Sequence, residues 1–99
     1  MIVSKVHNSY RSVVALCDAE LIGKTFEEDI RQLEVRASFF KDKELSHEEA
    51  VKLITFHARE DSSFNIVGKE SIKAAIEAGI ITEESITTIQ KIPFTLVLV

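Results

Sequence analysis

The first third of the chain contains short apolar or alternating stretches, which are typical of β-strands. Two such stretches, 2–7 and 12–17, flank the polar segment 8–11. Because valine-rich runs separated by a polar turn are typical of paired strands, they predict a β-hairpin.

A helical turn and a second hairpin are expected next. Asp18 and Gly23 bracket a stretch that suits a single helical turn, since aspartate favours helix starts and glycine favours helix ends. Two further strands are predicted over 25–27 and 31–37, with a turn at Glu28-Asp29 between them.

The second half of the chain has the spacing of helices. After a charged loop over 41–44, Ser46 and Glu49 form the Ser-x-x-Glu pattern of a capping box. This pattern starts a helix whose apolar face recurs every three to four residues. That face contains Ala50, Val51, Ile54 and Ala58.

The remaining elements are a strand over 64–67, a helix over 69–78 and a short third helix from Thr82. The second helix should bury Ile72, Ala75 and Ile76, and end at Gly79 with Ile80 folded back onto it. The third helix should carry Ile86 and Ile89 and stop before Pro93. Segment 94–99 is apolar except for Thr95, which predicts a fully buried interior strand.

Strands followed by helices indicate an α+β fold rather than a regularly alternating one. We expect one small domain, 1–99, because a chain of 99 residues can bury one hydrophobic core. Its mixed sheet should combine the N-terminal run of strands with the C-terminal buried strand, and two or three helices should pack on it.

Composition and charge exclude several classes of protein. With 45% hydrophobic residues the chain is not disordered, and its one cysteine cannot form an internal disulfide. The net charge of −4 lies entirely in residues 44–99, while residues 1–43 are neutral. A protein of duplex DNA normally carries a basic excess, so we expect no duplex DNA partner.

No apolar run approaches the roughly 18 residues of a membrane span, and the start lacks the pattern of a signal peptide. The expected location is therefore the cytoplasm, without membrane contact. Glutamine occurs only at positions 32 and 90, and glutamate and lysine are plentiful, which suits a thermophile.

The tip of the first hairpin is the leading candidate site. Lys5, His7, Asn8, Tyr10 and Arg11 place two cations, a titratable ring, an amide and an aromatic ring within seven residues. Lys5 and Arg11 could bind a phosphate while a base stacks on Tyr10. The alternative interpretation is an ordinary polar turn.

Gly68 and Lys69 form a second candidate, since the start of a helix offers free N–H groups to an anion. Structural capping is the alternative here. A third hypothesis is a small enzyme that uses His7, Cys17 and Asp18.

Other chemistry is poorly supported by the spacing of residues. Gly23-Lys24-Thr25 lacks the upstream glycine of a phosphate-binding loop, because that position is Asp18. The three histidines are widely separated, and His57 with Glu60 or Asp61 is more typical of a solvated helix end than of a metal site. We expect no metal and no cofactor. Exposure of Phe39-Phe40 would favour a homo-oligomer.

Several ordered motifs resemble the small archaeal family called domain of unknown function 424, over nearly the whole chain. The motifs are Ser4-Lys5-Val6-His7, Val14-Ala15-Leu16-Cys17-Asp18, Leu21-Ile22-Gly23-Lys24-Thr25-Phe26, Phe64-Asn65-Ile66-Val67-Gly68 and Ile92-Pro93-Phe94.

The resemblance implies no activity and no catalytic residues, since none is established for that family. Its genes tend to lie near translation genes in archaea. The expected function is therefore a non-catalytic, cytoplasmic binding module associated with the ribosome, which contacts RNA or a ribosomal protein through its N-terminal half. The small enzyme remains the alternative.

Overall fold

The structure, a computed structural model, describes residues 1–8 and 10–98. Its strands are β1 Ile2–His7, β2 Val13–Asp18, β3 Thr25–Glu28, β4 Arg31–Glu34, β5 Lys43–Leu45, β6 Ser63–Val67, β7 Thr87–Ile89 and β8 Ile92–Val97. Its helices are α1 Ala37–Phe40, α2 His47–Arg59 and α3 Lys69–Glu77, with 3₁₀ turns at Ala19–Leu21 and Glu83–Ser85.

Six of these strands form one mixed sheet in the order β5-β1-β2-β6-β8-β7. The pair β2–β6 is parallel and the other neighbours are antiparallel. Strands β3 and β4 form a separate hairpin. The predicted α+β fold, a small domain with a mixed sheet and packed helices, is confirmed.

The two faces of the sheet are covered by different elements. On the helix face, α2 and α3 pack on the sheet through residues such as Ile54, Ile72 and Phe64, which are almost completely buried. On the opposite face, which we call the hairpin face, Phe40 of α1 and Val35, which follows β4, belong to a second cluster. Phe26 and Leu33 of the β3–β4 hairpin pack against it. Because both faces bury apolar side chains, the central strands read as near-continuous apolar runs.

The predicted start of α2 and the predicted end of α3 agree with the structure. The Glu49 backbone N–H donates to Ser46 Oγ at 3.1 Å, and the Ser46 N–H donates to Glu49 Oε1 at 2.9 Å, so the capping box is confirmed. Gly79 follows α3 with φ +82°, a conformation that glycine adopts without strain. The Ile80 N–H then donates to the Ala75 carbonyl, as predicted.

Several predicted bounds were wrong. The strand over 31–37 ends at Glu34, and Ala37 instead begins α1. The turn before that strand lies at 29–30, with Asp29 at φ +57°. Part of the expected loop over 41–44 pairs with β1 as β5. In each case backbone pairing or packing with a distant segment, which local sequence does not show, moved the boundary.

The third predicted helix is limited to Glu83–Ser85, and Ile89 belongs to β7. Pairing of β7 with β8 outweighs the local helical pattern, and the β-branched Thr87 and Thr88 suit a strand. Ile76 was predicted to be buried but is 38% exposed on α3, because the outer side of this helix has no covering layer.

The expectation for segment 94–99 was correct in position and wrong in burial. Strand β8 lies inside the sheet, between β6 and β7. Its Leu96 is nevertheless 55% exposed and Leu98 is 73% exposed. The covering elements of the hairpin face do not extend over this end of β8; Val99 lies outside the described residues.

Within the described residues, no helix is long and apolar enough to cross a membrane.

Candidate functional site

The predicted binding tip is divided between two places in the fold. Lys5 and His7 alternate with Val6 along β1, so both side chains lie on the hairpin face. Lys5 Nζ donates a hydrogen bond of 2.8 Å to the carbonyl of Ser38 in α1. His7 Nε2 lies 2.8 Å from the carbonyl oxygen of Phe39. Since a carbonyl can only accept, Nε2 carries a proton and donates it.

These bonds have a structural purpose. Helix α1 has only four residues, so its last carbonyls have no partners within the helix. Lys5 and His7 supply donors from the neighbouring strand, and the His7 ring stacks on Phe39 with centroids 4.5 Å apart. Both tip residues therefore hold α1 against the sheet.

The same packing corrects the expectation that Phe39-Phe40 is an exposed oligomer interface. Phe40 is 4% exposed and belongs to the core of the hairpin face. Phe39 is half-buried, stacked on His7 and in edge contact with Phe40.

The remaining tip residues lie at the end of the sheet where β1 ends and β2 begins. Asn8 is exposed, with Oδ1 3.5 Å from Ser12 Oγ, and Ser9 lies outside the described residues.

Tyr10 is 100% exposed. Tyr10 and Arg11 line a cleft of about 490 Å³ beside the C-terminal end of α2. We call it the acidic cleft; its other lining residues are Ser12, Phe56, His57, Glu60 and Asp61.

The acidic cleft combines exposed aromatic rings with carboxylates. Phe56 is 59% exposed, and its ring meets that of His57 edge to face at 5.1 Å. Burial lowers the pKa of His57, although Glu60 acts in the opposite direction, so the imidazole is neutral at pH 7. The partial negative charge of the α2 C-terminus adds to the charges of Glu60 and Asp61. Arg11 adds one positive charge to the lining against the two negative charges of Glu60 and Asp61, so the net charge of the cleft is negative and suits a cation better than a phosphate.

The anion-binding position at Gly68 and Lys69 exists and is filled from within the chain. The buried Asp18 carboxylate accepts hydrogen bonds from the Glu70 N–H at 3.1 Å, the Ser71 N–H at 2.9 Å and the Ser71 hydroxyl at 2.8 Å. A distant residue thus caps the N-terminus of α3. The position is structural, and Lys69 is simply the first residue of α3.

Gly68 is required by this arrangement. A Cβ atom there would lie 2.3 Å from Asp18 Cγ and 2.6 Å from each carboxylate oxygen. Its φ of +106° is also unfavourable for residues other than glycine. Close approach of the carboxylate to the helix start therefore depends on the absence of a side chain.

The structure does not assemble an enzyme site from His7, Cys17 and Asp18. His7 is opposite Val13 and Cys17 is opposite Val3, so they lie at different ends of the β1–β2 pair. Cys17 and Asp18 are adjacent and face opposite sides of the sheet. Burial, helped by the charges of Asp18 and Glu20, raises the pKa of the Cys17 thiol to about 12, so it is not a thiolate nucleophile.

One group of three carboxylates lies close together in the described residues, with oxygens of Asp18, Glu20 and Glu70 within 4.8 Å. Both Asp18 oxygens are engaged by α3. Glu70 Oε2 accepts a hydrogen bond of 3.0 Å from the Met1 amino group. These contacts orient the carboxylates of Asp18 and Glu70.

Sequence reasoning overlooked Phe56. A signal was present, because Phe56 lies four residues after Lys52 and three before Arg59, on the polar side of α2. An aromatic ring among charged residues of an amphipathic helix indicates exposure. Only the fold shows that Tyr10, far away in sequence, lines the same cleft.

Comparison with known proteins identifies the family and the fold. None of the curated proteins matches the chain. The crystal structure of an uncharacterized conserved protein from Methanopyrus kandleri is similar, with a TM-score of 0.87 and 23% sequence identity over 96% of this chain and 88% of that chain. At this identity the likeness shows a shared fold. A family model described as "Protein of unknown function (DUF424)" matches residues 6–99, and the chain therefore belongs to that family.

Proposed function

We propose that this protein is a non-catalytic, cytoplasmic archaeal binding module of the translation apparatus, and that its acidic cleft binds a basic segment of a ribosomal protein. The observation that carries the proposal is the cleft itself. Wholly exposed Tyr10 and largely exposed Phe56 line it together with Glu60 and Asp61. The ribosomal setting is suggested by the family resemblance.

Aromatic rings and carboxylates together suit a lysine or arginine side chain. A cation over an aromatic face gains about 0.5–2 kcal/mol, depending on how far it is desolvated. The carboxylates of Glu60 and Asp61 can accept its N–H groups. The carbonyl end of α2 favours the same charge.

RNA contact through the same end is the weaker alternative. The proposed phosphate clamp needs Lys5 and Arg11 together, but Lys5 donates to the Ser38 carbonyl on the hairpin face. Glu60 and Asp61 would repel phosphates at the cleft. The burial of Cys17 and the hydrogen bonds of Asp18 likewise favour a binding role over an enzymatic one.

The proposal is tested by co-sedimentation with purified archaeal ribosomal subunits, using a variant that combines Glu60→Lys with Asp61→Asn. Asparagine is chosen because Asp61 has φ +56°, which asparagine tolerates. We expect at least a tenfold loss of affinity. The matched control combines Glu44→Lys with Asp42→Asn, the same change in charge outside the cleft, and should bind nearly as the parent does.

The direction of the change in affinity distinguishes a basic protein partner from RNA. Removing negative charge weakens contact with a basic protein and strengthens contact with RNA. Tighter association of the cleft variant, or unchanged association, would contradict the proposal. Tyr10→Ala should weaken association and Tyr10→Phe should preserve it, because the aromatic face is retained.

A further inference from the structure

Strand β8 has an edge that is only partly covered. Strand β7 pairs with its first half, through Ile89↔Ile92, Thr88↔Pro93 and Thr87↔Phe94. Beyond Phe94, no strand in residues 1–8 and 10–98 pairs with this edge. Main-chain groups past that point are therefore available to a strand from another molecule.

The direction of these main-chain groups follows from the β6–β8 pairing. The Gly68 N–H donates to the Pro93 carbonyl at 2.8 Å, so the main chain of residue 93 faces β6. Because N–H and C=O directions alternate along a strand, the main-chain groups of Thr95 and Val97 also face β6. The main-chain N–H and C=O groups of Leu96 and Leu98 point away from β6, towards the free edge.

The side chains of this segment lack the usual protection of an edge. Leu96 and Leu98 are 55% and 73% exposed, and no charged residue or proline occurs in 94–98. Natural edge strands commonly carry lysine, proline or a bulge that prevents pairing with other chains. An apolar, unprotected edge of this kind favours recognition by strand addition.

Acidic residues lie at the start of the free edge. Thr95 Oγ1 donates to the Ser85 carbonyl at 3.1 Å, which brings the exposed Glu83 and Glu84 beside its start. The free edge therefore has an apolar part that follows a negative region.

We propose that the free edge of β8 adds an extended strand from a partner protein, with alternating apolar residues in its centre and lysine or arginine where it passes Glu83 and Glu84. The inference rests on the proposed function, since the same kind of basic segment is expected at the acidic cleft. It names the mode of binding, which is main-chain pairing with Leu96 and Leu98.

Charge selects this occupant over two others. A second copy of this chain would bring its own segment 94–98 to the edge, and that segment has no lysine or arginine to pair with Glu83 and Glu84. A partner strand with basic residues pairs with these carboxylates, and a second copy does not. Nucleic acid would meet the same negative region and cannot continue a β-ladder.

The direct test uses two synthetic nonapeptides, Lys-Arg-Val-Thr-Val-Thr-Val-Arg-Lys and the same peptide with glutamate at its four terminal positions. We expect the basic peptide to bind at least tenfold more tightly by fluorescence anisotropy. Its addition should slow amide hydrogen exchange at Leu96 and Leu98. Equal binding of the two peptides, or unchanged exchange at both leucines, would overturn the proposal.

A backbone variant sharpens the test. Leu96→Pro removes an N–H that faces outward, so the β6–β8 hydrogen bonds are retained and proline is tolerated at such an edge position. We expect more than a tenfold loss of peptide binding with a cooperative melting transition retained. Leu96→Thr keeps the N–H, so it should weaken peptide binding less than Leu96→Pro does. The exchange measurement on the parent protein decides the matter if the proline variant does not fold.

The two proposals fail in different ways. If ribosomal association is lost in the Glu60→Lys and Asp61→Asn variant but intact in Leu96→Pro, the edge proposal is wrong and the cleft proposal stands. If neither variant changes association, both proposals are wrong. A concentration-dependent dimer in sedimentation that Leu96→Pro abolishes would show that a second copy occupies the edge.

Discussion

Where β2 and β6 end, the carboxylate and the helix start that looked reactive in the sequence bind each other. Asp18 accepts three hydrogen bonds from α3, and Gly68 lets it approach. Where the same two strands begin, Tyr10 is wholly exposed and lies beside carboxylates at the end of α2. We refer to these as the closed end and the open end of the sheet.

The comparison shows that residue type alone does not indicate a functional site. A glycine at a helix start and a nearby carboxylate resemble a ligand-binding arrangement, but in the closed end they bind each other. In the open end the groups are chemically ordinary, and exposure distinguishes them. Stability should therefore depend on the closed end and binding on the open end.

Among substitutions at the two ends of the sheet, Gly68→Ala should have the largest effect on stability. The added Cβ meets the Asp18 carboxylate at 2.3–2.6 Å and alanine must adopt φ near +106°. Steric displacement of a buried, hydrogen-bonded carboxylate and backbone strain together should cost about 3–4 kcal/mol. Urea denaturation measures the loss.

A double-mutant cycle separates the two causes. In an Asp18→Ala background the clash is absent and only the backbone strain remains, so Gly68→Ala should cost clearly less there. Additive losses would mean that the carboxylate does not restrict position 68.

Asp18→Ala should have the next largest effect and lower the free energy of unfolding by about 2–3 kcal/mol. It leaves the Ser71 hydroxyl and two N–H groups of α3 without their acceptor in a buried place. Asp18→Asn keeps one acceptor oxygen and should lose less. A loss of the same size in both variants, measured by thermal unfolding, would argue against hydrogen bonding as the cause.

Local signals predicted the elements that local chemistry controls. The capping box at Ser46 and the glycine end at Gly79 were predicted at the right residues, because each involves contacts within a few positions. The bounds of β7 and α1 were missed, since each is set by contact with a strand far away in sequence.

The candidate site also depends on contacts between residues that are distant in sequence, so the sequence alone did not predict it. Lys5 and Tyr10 are five positions apart, but only the fold shows that Lys5 serves α1 while Tyr10 faces the cleft beside α2. Likewise Asp18 precedes Gly68 by 50 residues, so their contact could not be anticipated from the sequence. Partners of polar groups are a property of tertiary structure.

Ser46→Ala tests a helix start that is capped locally, in contrast with α3. The loss should be about 1 kcal/mol, the usual value for an N-cap serine. Hydrogen bonds from Ser46 lower the pKa of Glu49, so the box stabilises the protein above the ordinary pKa of glutamate and loses this contribution as pH falls. Alanine at position 46 keeps the backbone N–H that donates to Glu49, so the pH test uses Glu49→Ala, which removes the titrating carboxylate. The difference between the parent and Glu49→Ala should shrink in acid; a constant difference in thermal stability from pH 7 to pH 3 would contradict the box.

Tyr10→Ala should have the smallest effect on stability and defines the open end. The side chain is 100% exposed, so its removal breaks no packing and should change the free energy of unfolding by less than about 0.5 kcal/mol. The matched aromatic substitution is Phe40→Ala, which empties a core position that is 4% exposed and should cost about 3–5 kcal/mol. Thermal melting of the two variants beside the parent measures both values. If Tyr10→Ala destabilised the protein by more than about 1 kcal/mol, Tyr10 would pack within the fold, and the open end would hold its aromatic ring for structure rather than for a partner.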